Sequence, residues 1–375
     1  MFESDAQPPD DYRVARTPWT VYLGFVLLVL AVVGIVVFAT SPAPYVIEKP
    51  GPVFNTLGQV ENANGDEVPL IDIPQETTYP TSGTLDLLTV YLDGSPQTPV
   101  SWIDVALAWF NPSRSVVPLD AVFPPGQTDE EANQESAQQM NSSQQDAVAA
   151  ALTELDIPYT STLAVAQVID GTPADGVLKA GDELLSAGGV TLDNVDDLRA
   201  QLKASGVGVP IELGIRRDGV EQTVTLSPQP SPQDGSATIG IYPGTTYEFP
   251  IDVNIQLNNV GGPSAGMMFA LGIYDKLTPG ELTGGAKIAG TGTIDGSGTV
   301  GPIGGIVQKM YGASAAGAEW FLAPEENCSE VVGHIPGGIQ VFSVSTLDEA
   351  VTSVEAIAKG DTSSLATCHA EPAQG

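Results

Sequence analysis

Residues 261–266 read Gly-Gly-Pro-Ser-Ala-Gly, a serine among small residues at the head of an apolar run. Such a serine can act as a nucleophile in acyl transfer if a base takes its proton and backbone amides hold the oxyanion. Pro263 suits a first helical position, since its missing N–H would be unpaired there anyway. Met267, Met268, Leu271 and Tyr274 follow at helical spacing. Ser264 then stands at a helix start, where free amides and the positive dipole end gather. Gly262, Pro263 and Ala265 form the supporting oxyanion region, and the glycines admit a substrate backbone.

The base is harder to place. His334, in "VVGHIPGG", and His369, in the tail, have no context suggesting a triad. The lysines of the last domain are Lys276, Lys287, Lys309 and Lys359. A lysine base must be neutral near pH 7, so it needs burial away from water and carboxylates. Lys276 follows an aspartate and Lys359 lies in a tail. Lys287 sits in an expected strand, "GGAKIAGTG", and can face either way. Lys309 lies on an expected helix opened by Gly304-Gly305 and closed by Gly317, and it shares a face with Gly305 and Ala313. Environment favours Lys309, with Lys287 still open.

The rest of the chain restricts the chemistry. A formal charge of −33 over 375 residues repels nucleic acid, which needs clustered Lys and Arg. No Cys/His cluster has metal-ligand spacing, and no glycine-rich loop ends in Gly-Lys-Ser/Thr. Hydrolysis here is therefore expected to need no cofactor, metal or ATP. Residues 21–39, "VYLGFVLLVLAVVGIVVFA", form an uncharged apolar run close to the length of a membrane span. Trp19 and Tyr22 suit an interface, and Arg13 and Arg16 precede the run. Lys49 and Arg114 are the next basic residues. This asymmetry places the N-terminus in the cytoplasm and the bulk outside. "FATSPAPY" is a poor cleavage site, so an anchor is favoured over a signal peptide. An oxidising exterior would allow a Cys328–Cys368 disulfide.

The expected organisation is α/β (α+β) and multi-domain. A cytoplasmic tail (1–20) and transmembrane helix (21–40) lead into a β-rich segment with a helix (45–158). Thr128-x-x-Glu131 and Ser143-x-x-Asp146 are helix-start signals there, followed by an apolar stripe of Val148, Ala151, Leu152 and Leu155. Residues 159–230 read as a compact unit with a helix faced by Val195, Leu198 and Leu202, and an Asp-Gly hairpin in "RRDGVEQTV". Residues 237–358 form the last domain and 359–375 a tail. In the compact unit, "TPADGVLKAGDELLSAGG" resembles the PDZ family, which captures extended peptide ends by strand addition. The usual Gly-Φ-Gly-Φ loop is not evident before Leu163.

In the last domain, "GPSAG" followed by "AGTGTIDGSGTVGPIGGIVQK" resembles the proteolytic domain of Lon-type proteases. "FLAPEENCSEV" extends the likeness, which covers about residues 250–345. The resemblance implies Ser264 as nucleophile, Lys309 as general base and Thr291 as the residue that positions the pair. With the anchor and the PDZ-like unit, the whole resembles bacterial membrane-anchored PDZ–Lon serine proteases. It implies an ATP-independent endopeptidase acting on extended or unfolded protein or peptide substrates outside the cytoplasm. A homo-oligomeric ring is compatible with that resemblance. An inactive PDZ-bearing scaffold or assembly protein is the alternative.

Overall fold

The computed structural model describes residues 19–368 apart from 63, 125, 193, 232–234 and 258–259. It divides into two compact units, residues 1–49 with 92–129 and residues 50–91 with 130–375. The chain passes between them inside two strands, β1 (Tyr45–Asn55) and β2 (Thr84–Asp93). The segment 45–158, expected as one body, is thus shared between the units. His369 and the arginines at 13 and 16 lie outside the described residues.

The first unit contains α1 (Trp19–Thr40), 22 uncharged and mostly apolar residues of which none is buried. At 1.5 Å per residue it is about 33 Å long, enough to cross a hydrocarbon core. A short helix, α2 (Trp102–Trp109), follows Ser101, which caps it reciprocally with Asp104. The start of β1 pairs antiparallel with β3 (Ser115–Pro118), from Tyr45 opposite Pro118 to Glu48 opposite Ser115.

The chain re-enters the second unit along α3 (Asp129–Glu154), which begins directly after Thr128. It is continuous, so Ser143-x-x-Asp146 does not start a helix. Met140, Ala147, Val148, Ala151 and Leu152 are buried along it, and this packing carries the helix through the second signal. An antiparallel sheet follows. It is built from β4 (Thr160–Val168), β5 (Glu183–Ala187), β6 (Ile211–Arg217) and β7 (Val220–Leu226), with α4 (Val195–Ser205) between β5 and β6. Asn194 caps α4, and Gly206 ends it at φ 86°. Asp218 and Gly219 turn the β6–β7 hairpin with φ of 51° and 76°, the left-handed pair an Asp-Gly turn supplies. Leu163, Val165, Leu184, Leu198, Leu202, Leu213 and Ile215 fill its core.

Residues 237–248, expected to open the last domain, instead complete this sheet. β8 (Ile241–Glu248) pairs antiparallel with β4, from Ile241 opposite Val168 to Glu248 opposite Thr160. The strand beside β4 therefore comes from the far end of the module. It is led by Ile239-Gly240-Ile241, with Ile239 buried in the module's core. Gly240 has φ 79°, and an added Cβ would meet the side chain of Thr172.

The last domain has helices on both faces of a sheet. Parallel strands β9 (Lys287–Gly290), β10 (Trp320–Pro324) and β11 (Gln340–Val344) continue from β2, in the order β11-β10-β9-β2-β1. Alternation sorts their side chains between the faces. Leu85, Leu87, Ile288, Leu322 and Phe342 pack with α3, α5 (Gly266–Leu277) and a C-terminal helix (Leu347–Lys359). Leu88, Ala289, Phe321 and Val341 pack with α6 (Ile306–Ala316). As expected, α6 lies between Gly305 and Gly317, both left-handed.

Candidate active site

α5 begins at Gly266 with Ala265 as its N-cap, so Pro263 stands before the helix and not at its first position. The intervening turn is held from outside. Ser143 of α3 donates its hydroxyl to the Pro263 carbonyl at 2.9 Å, and the Gly262 amide donates to the Ser136 carbonyl at 2.8 Å. The contacts are close. A Cβ at Gly266 would stand 2.8 Å from Ser143 Oγ and 2.9 Å from Ile294 Cγ2. Glycine is required there by space.

Ser264 stands at the end of this turn, and Lys309 reaches it from α6. Lys309 is 2% exposed, and its Nζ lies 2.7 Å from Ser264 Oγ. Such burial is the setting a lysine base needs. Lys309 is placed by the loop before α6. The Asn327 amide group clamps that loop by accepting from Ile303 N–H and donating to Ile303 C=O, each at 2.9 Å.

Thr291 joins the pair. Its hydroxyl donates to the Ser264 carbonyl at 2.9 Å, and that carbonyl also accepts from Gly292 N–H at 2.9 Å. Lys309 Nζ lies 3.0 Å from Thr291 Oγ1. A threonine hydroxyl has one proton. With that proton on the Ser264 carbonyl, Thr291 can only accept from the amine. One amine N–H is thereby directed to Thr291.

The backbone amides around Ser264 differ in what they are bonded to. The Gly262 amide is engaged by Ser136, and Pro263 has no N–H. The amides of Ser264 and Ala265 have no backbone acceptor among the described residues. A cavity of about 350 Å³ opens at Ser264, Ala265 and Lys309, and its apolar walls include Phe54, Leu87, Val90, Met140 and Val260.

The other candidates lie elsewhere. Lys287 is exposed on β9, and Lys359 is exposed and paired with Glu355 at 2.9 Å. Burial pulls the Lys276 ammonium down, opposed by Asp275 and Asp72. It stands at the C-terminal end of α5, the end opposite Ser264. His334 is exposed, with its ring nitrogen 3.0 Å from the Glu330 carbonyl. Cys328 and Cys368 form a disulfide, which places the bridge beside the Asn327 clamp. Sequence reading missed Ser136, Ser143 and the cavity walls. Ser143 had been marked as a cap signal, but nothing local tied it to Pro263.

Two family matches agree with this architecture. Residues 138–227 match the PDZ domain, and residues 255–356 match the Lon protease (S16) C-terminal proteolytic domain. Lon protease 2 of Bacillus subtilis is 33% identical over 110 residues, covering 28% of this chain and 19% of that protein. The Lon protease of Lachnoclostridium phytofermentans is 37% identical over 91 residues, 24% of this chain and 11% of that one. The chain thus spans less than a fifth of the length of these relatives. Among solved structures, the PDZ domain of the SdrC-like protein from Listeria innocua aligns at 20% identity. It covers 22% of this chain and 92% of that one, with a TM-score of 0.21. The chain therefore combines a PDZ domain with a Lon-type proteolytic domain in a mixed α/β fold with an apolar N-terminal helix.

Proposed function

We propose that this protein is a membrane-anchored, ATP-independent serine endopeptidase in which Ser264 is the nucleophile and Lys309 the general base. The observation that carries the reading is the 2.7 Å approach of a buried lysine amine to the Ser264 hydroxyl at the cavity. Lys309 takes the proton as Ser264 Oγ attacks a peptide carbonyl. The Ser264 and Ala265 amides hold the resulting oxyanion. The lysine ammonium returns its proton to the departing amine, leaving an ester on Ser264. Lys309 then takes a proton from water as it attacks the ester and passes that proton to the departing Ser264 Oγ, which frees the acid product and restores the neutral amine.

The apolar cavity beside Ser264 suits an apolar side chain next to the scissile bond. Substrates are extended or unfolded protein segments, since a folded chain cannot present a strand to such a site. Among the described strands, β8 is one of the two edge strands of the PDZ sheet, with β7 at the other end, and a peptide end can add along it. Antiparallel addition with the peptide's C-terminus at Ile239–Ile241 directs the chain preceding that terminus toward Glu248, where β8 leads into the proteolytic domain. α1 anchors the chain, with the catalytic part outside the cytoplasm and the disulfide formed there. Cleavage of an unfolded protein by the full chain, compared with Ser264→Ala, tests the reading.

A further inference from the structure

α2 carries two apolar faces, and only one of them is covered. Val105 and Ala108 are buried against the first unit. Ile103, Leu107 and Phe110, spaced four and three residues apart, form a stripe on the opposite side and are 38%, 62% and 89% exposed. Trp109, on the face shared with Trp102, is 69% exposed as well. A single exposed apolar residue is ordinary, but four within eight positions are not.

The surroundings indicate what covers this face. In a chain of net charge −33, residues 96–113 contain one charged side chain, Asp104. That carboxylate is engaged in the cap, accepting from Ser101 N–H at 3.1 Å and Ser101 Oγ at 2.6 Å. α2 also sits at the end of α1. Trp102 stacks on Phe38 with ring centroids 6.4 Å apart, and its amide donates to the Ser41 carbonyl at 3.3 Å. Tyr45 meets the same indole edge-on at 5.7 Å. Trp and Tyr gathered at the end of an apolar span mark the depth of the lipid headgroups. The exposed stripe thus belongs to a helix that begins at the end of α1.

We propose that α2 lies in the outer bilayer interface, with Ile103, Leu107, Trp109 and Phe110 among the headgroups and upper acyl chains. It gives the protein a second, non-spanning contact with lipid. The contact is apolar and not electrostatic, because the segment lacks the basic residues that would bind anionic lipid. This rests on the reading of α1 as a membrane span.

The test uses the full chain carrying one added cysteine, Leu107→Cys or Phe110→Cys, with Val29→Cys in the middle of α1 as reference. The native cysteines are bonded to each other, so an environment-sensitive fluorophore attaches at the added site. Each labelled protein is reconstituted in phosphatidylcholine vesicles containing a spin-label quencher at acyl carbon 5 or carbon 12. The expected result is at least a twofold loss of fluorescence at 107 and 110 with the shallow quencher, less with the deep one, and no change in 1 M salt. The label at 29 is quenched most by the deep quencher. Quenching at 29 without quenching at 107 and 110 overturns the inference and leaves the anchor standing, whether that face is then in water or against protein. Absence of quenching at all three sites overturns the anchor, and the inference with it.

Discussion

The hydroxyl of Ser143, on a helix 120 residues earlier in the chain, donates to the carbonyl of Pro263, the residue before Ser264. With the Gly262–Ser136 hydrogen bond it fastens the nucleophile turn to α3. Ser143→Ala removes one neutral hydrogen bond, about 1 kcal/mol of restraint. The expected outcome is a fall in kcat of about fivefold with KM nearly unchanged, because ground-state binding does not use this bond. Steady-state kinetics on a fluorogenic peptide checks it, and a fall carried wholly by KM would refute the positioning role.

Thr291 directs the amine of Lys309. Thr291→Val keeps the shape and removes the hydroxyl, so the amine loses the partner that aims its lone pair. A hydrogen bond to a group that becomes charged contributes roughly 1.5–3 kcal/mol, so kcat/KM should fall between about tenfold and a hundredfold. Thr291→Ser should restore most of it. In the wild type, kcat/KM should decline toward acid pH, because an ammonium cannot accept the Ser264 proton. The acid limb should move in Thr291→Val and return in Thr291→Ser.

The PDZ module depends on one buried carboxylate. Asp182 is 1% exposed, and burial by itself would push its carboxyl up. The Arg217 guanidinium, with Nε at 2.6 Å, and the Lys179 amide at 2.8 Å reverse this, and the carboxyl ends below its ordinary range. A lowered folded value means that its stabilisation is present above the unfolded value of about 4 and is lost as pH falls through the folded one. Asp182→Asn should therefore lower the Tm of the module at pH 7, with the gap from wild type narrowing below about pH 4. Calorimetry at several pH values measures this. A gap that widens in acid would contradict the sign.

The Cys328–Cys368 bridge closes a span of 40 residues. Chain entropy sets its stabilisation at about 4 kcal/mol at most. Cys368→Ser should lower Tm by several degrees and sensitise the segment after Gly360 to proteolysis. An unchanged Tm and digestion pattern would mean that the bridge does not form in the native protein.

The parts legible in the sequence are those specified by neighbours along the chain. Ser264 lies in a run of small residues ahead of an apolar helix, and Lys309 lies between two glycine boundaries that do end α6. The Asp-Gly turn at 218–219 and the face of α4 are local in the same sense. What could not be read is set by distance in sequence. Phe54, Leu87 and Met140 reach the cavity from segments with no catalytic signature. Ser143 has a cap-like context, but α3 passes through it, and only the fold shows that its hydroxyl serves Pro263. Residues 237–248 read as the opening of the last domain, yet 241–248 supply the PDZ strand beside β4. Local preference cannot say which end of a module supplies an edge strand.

The proposed catalysis rests on the Ser264–Lys309 pair. Its most direct test is cleavage of a reduced, unfolded protein by the purified full chain in detergent, beside Ser264→Ala and Lys309→Ala, with a fluorophosphonate probe added to each. The expected result is cleavage and labelling by the wild type, neither by Ser264→Ala, and activity in Lys309→Ala reduced by about 10²–10⁴-fold, the usual contribution of a general base. Cleavage by either variant at the wild-type rate would contradict it.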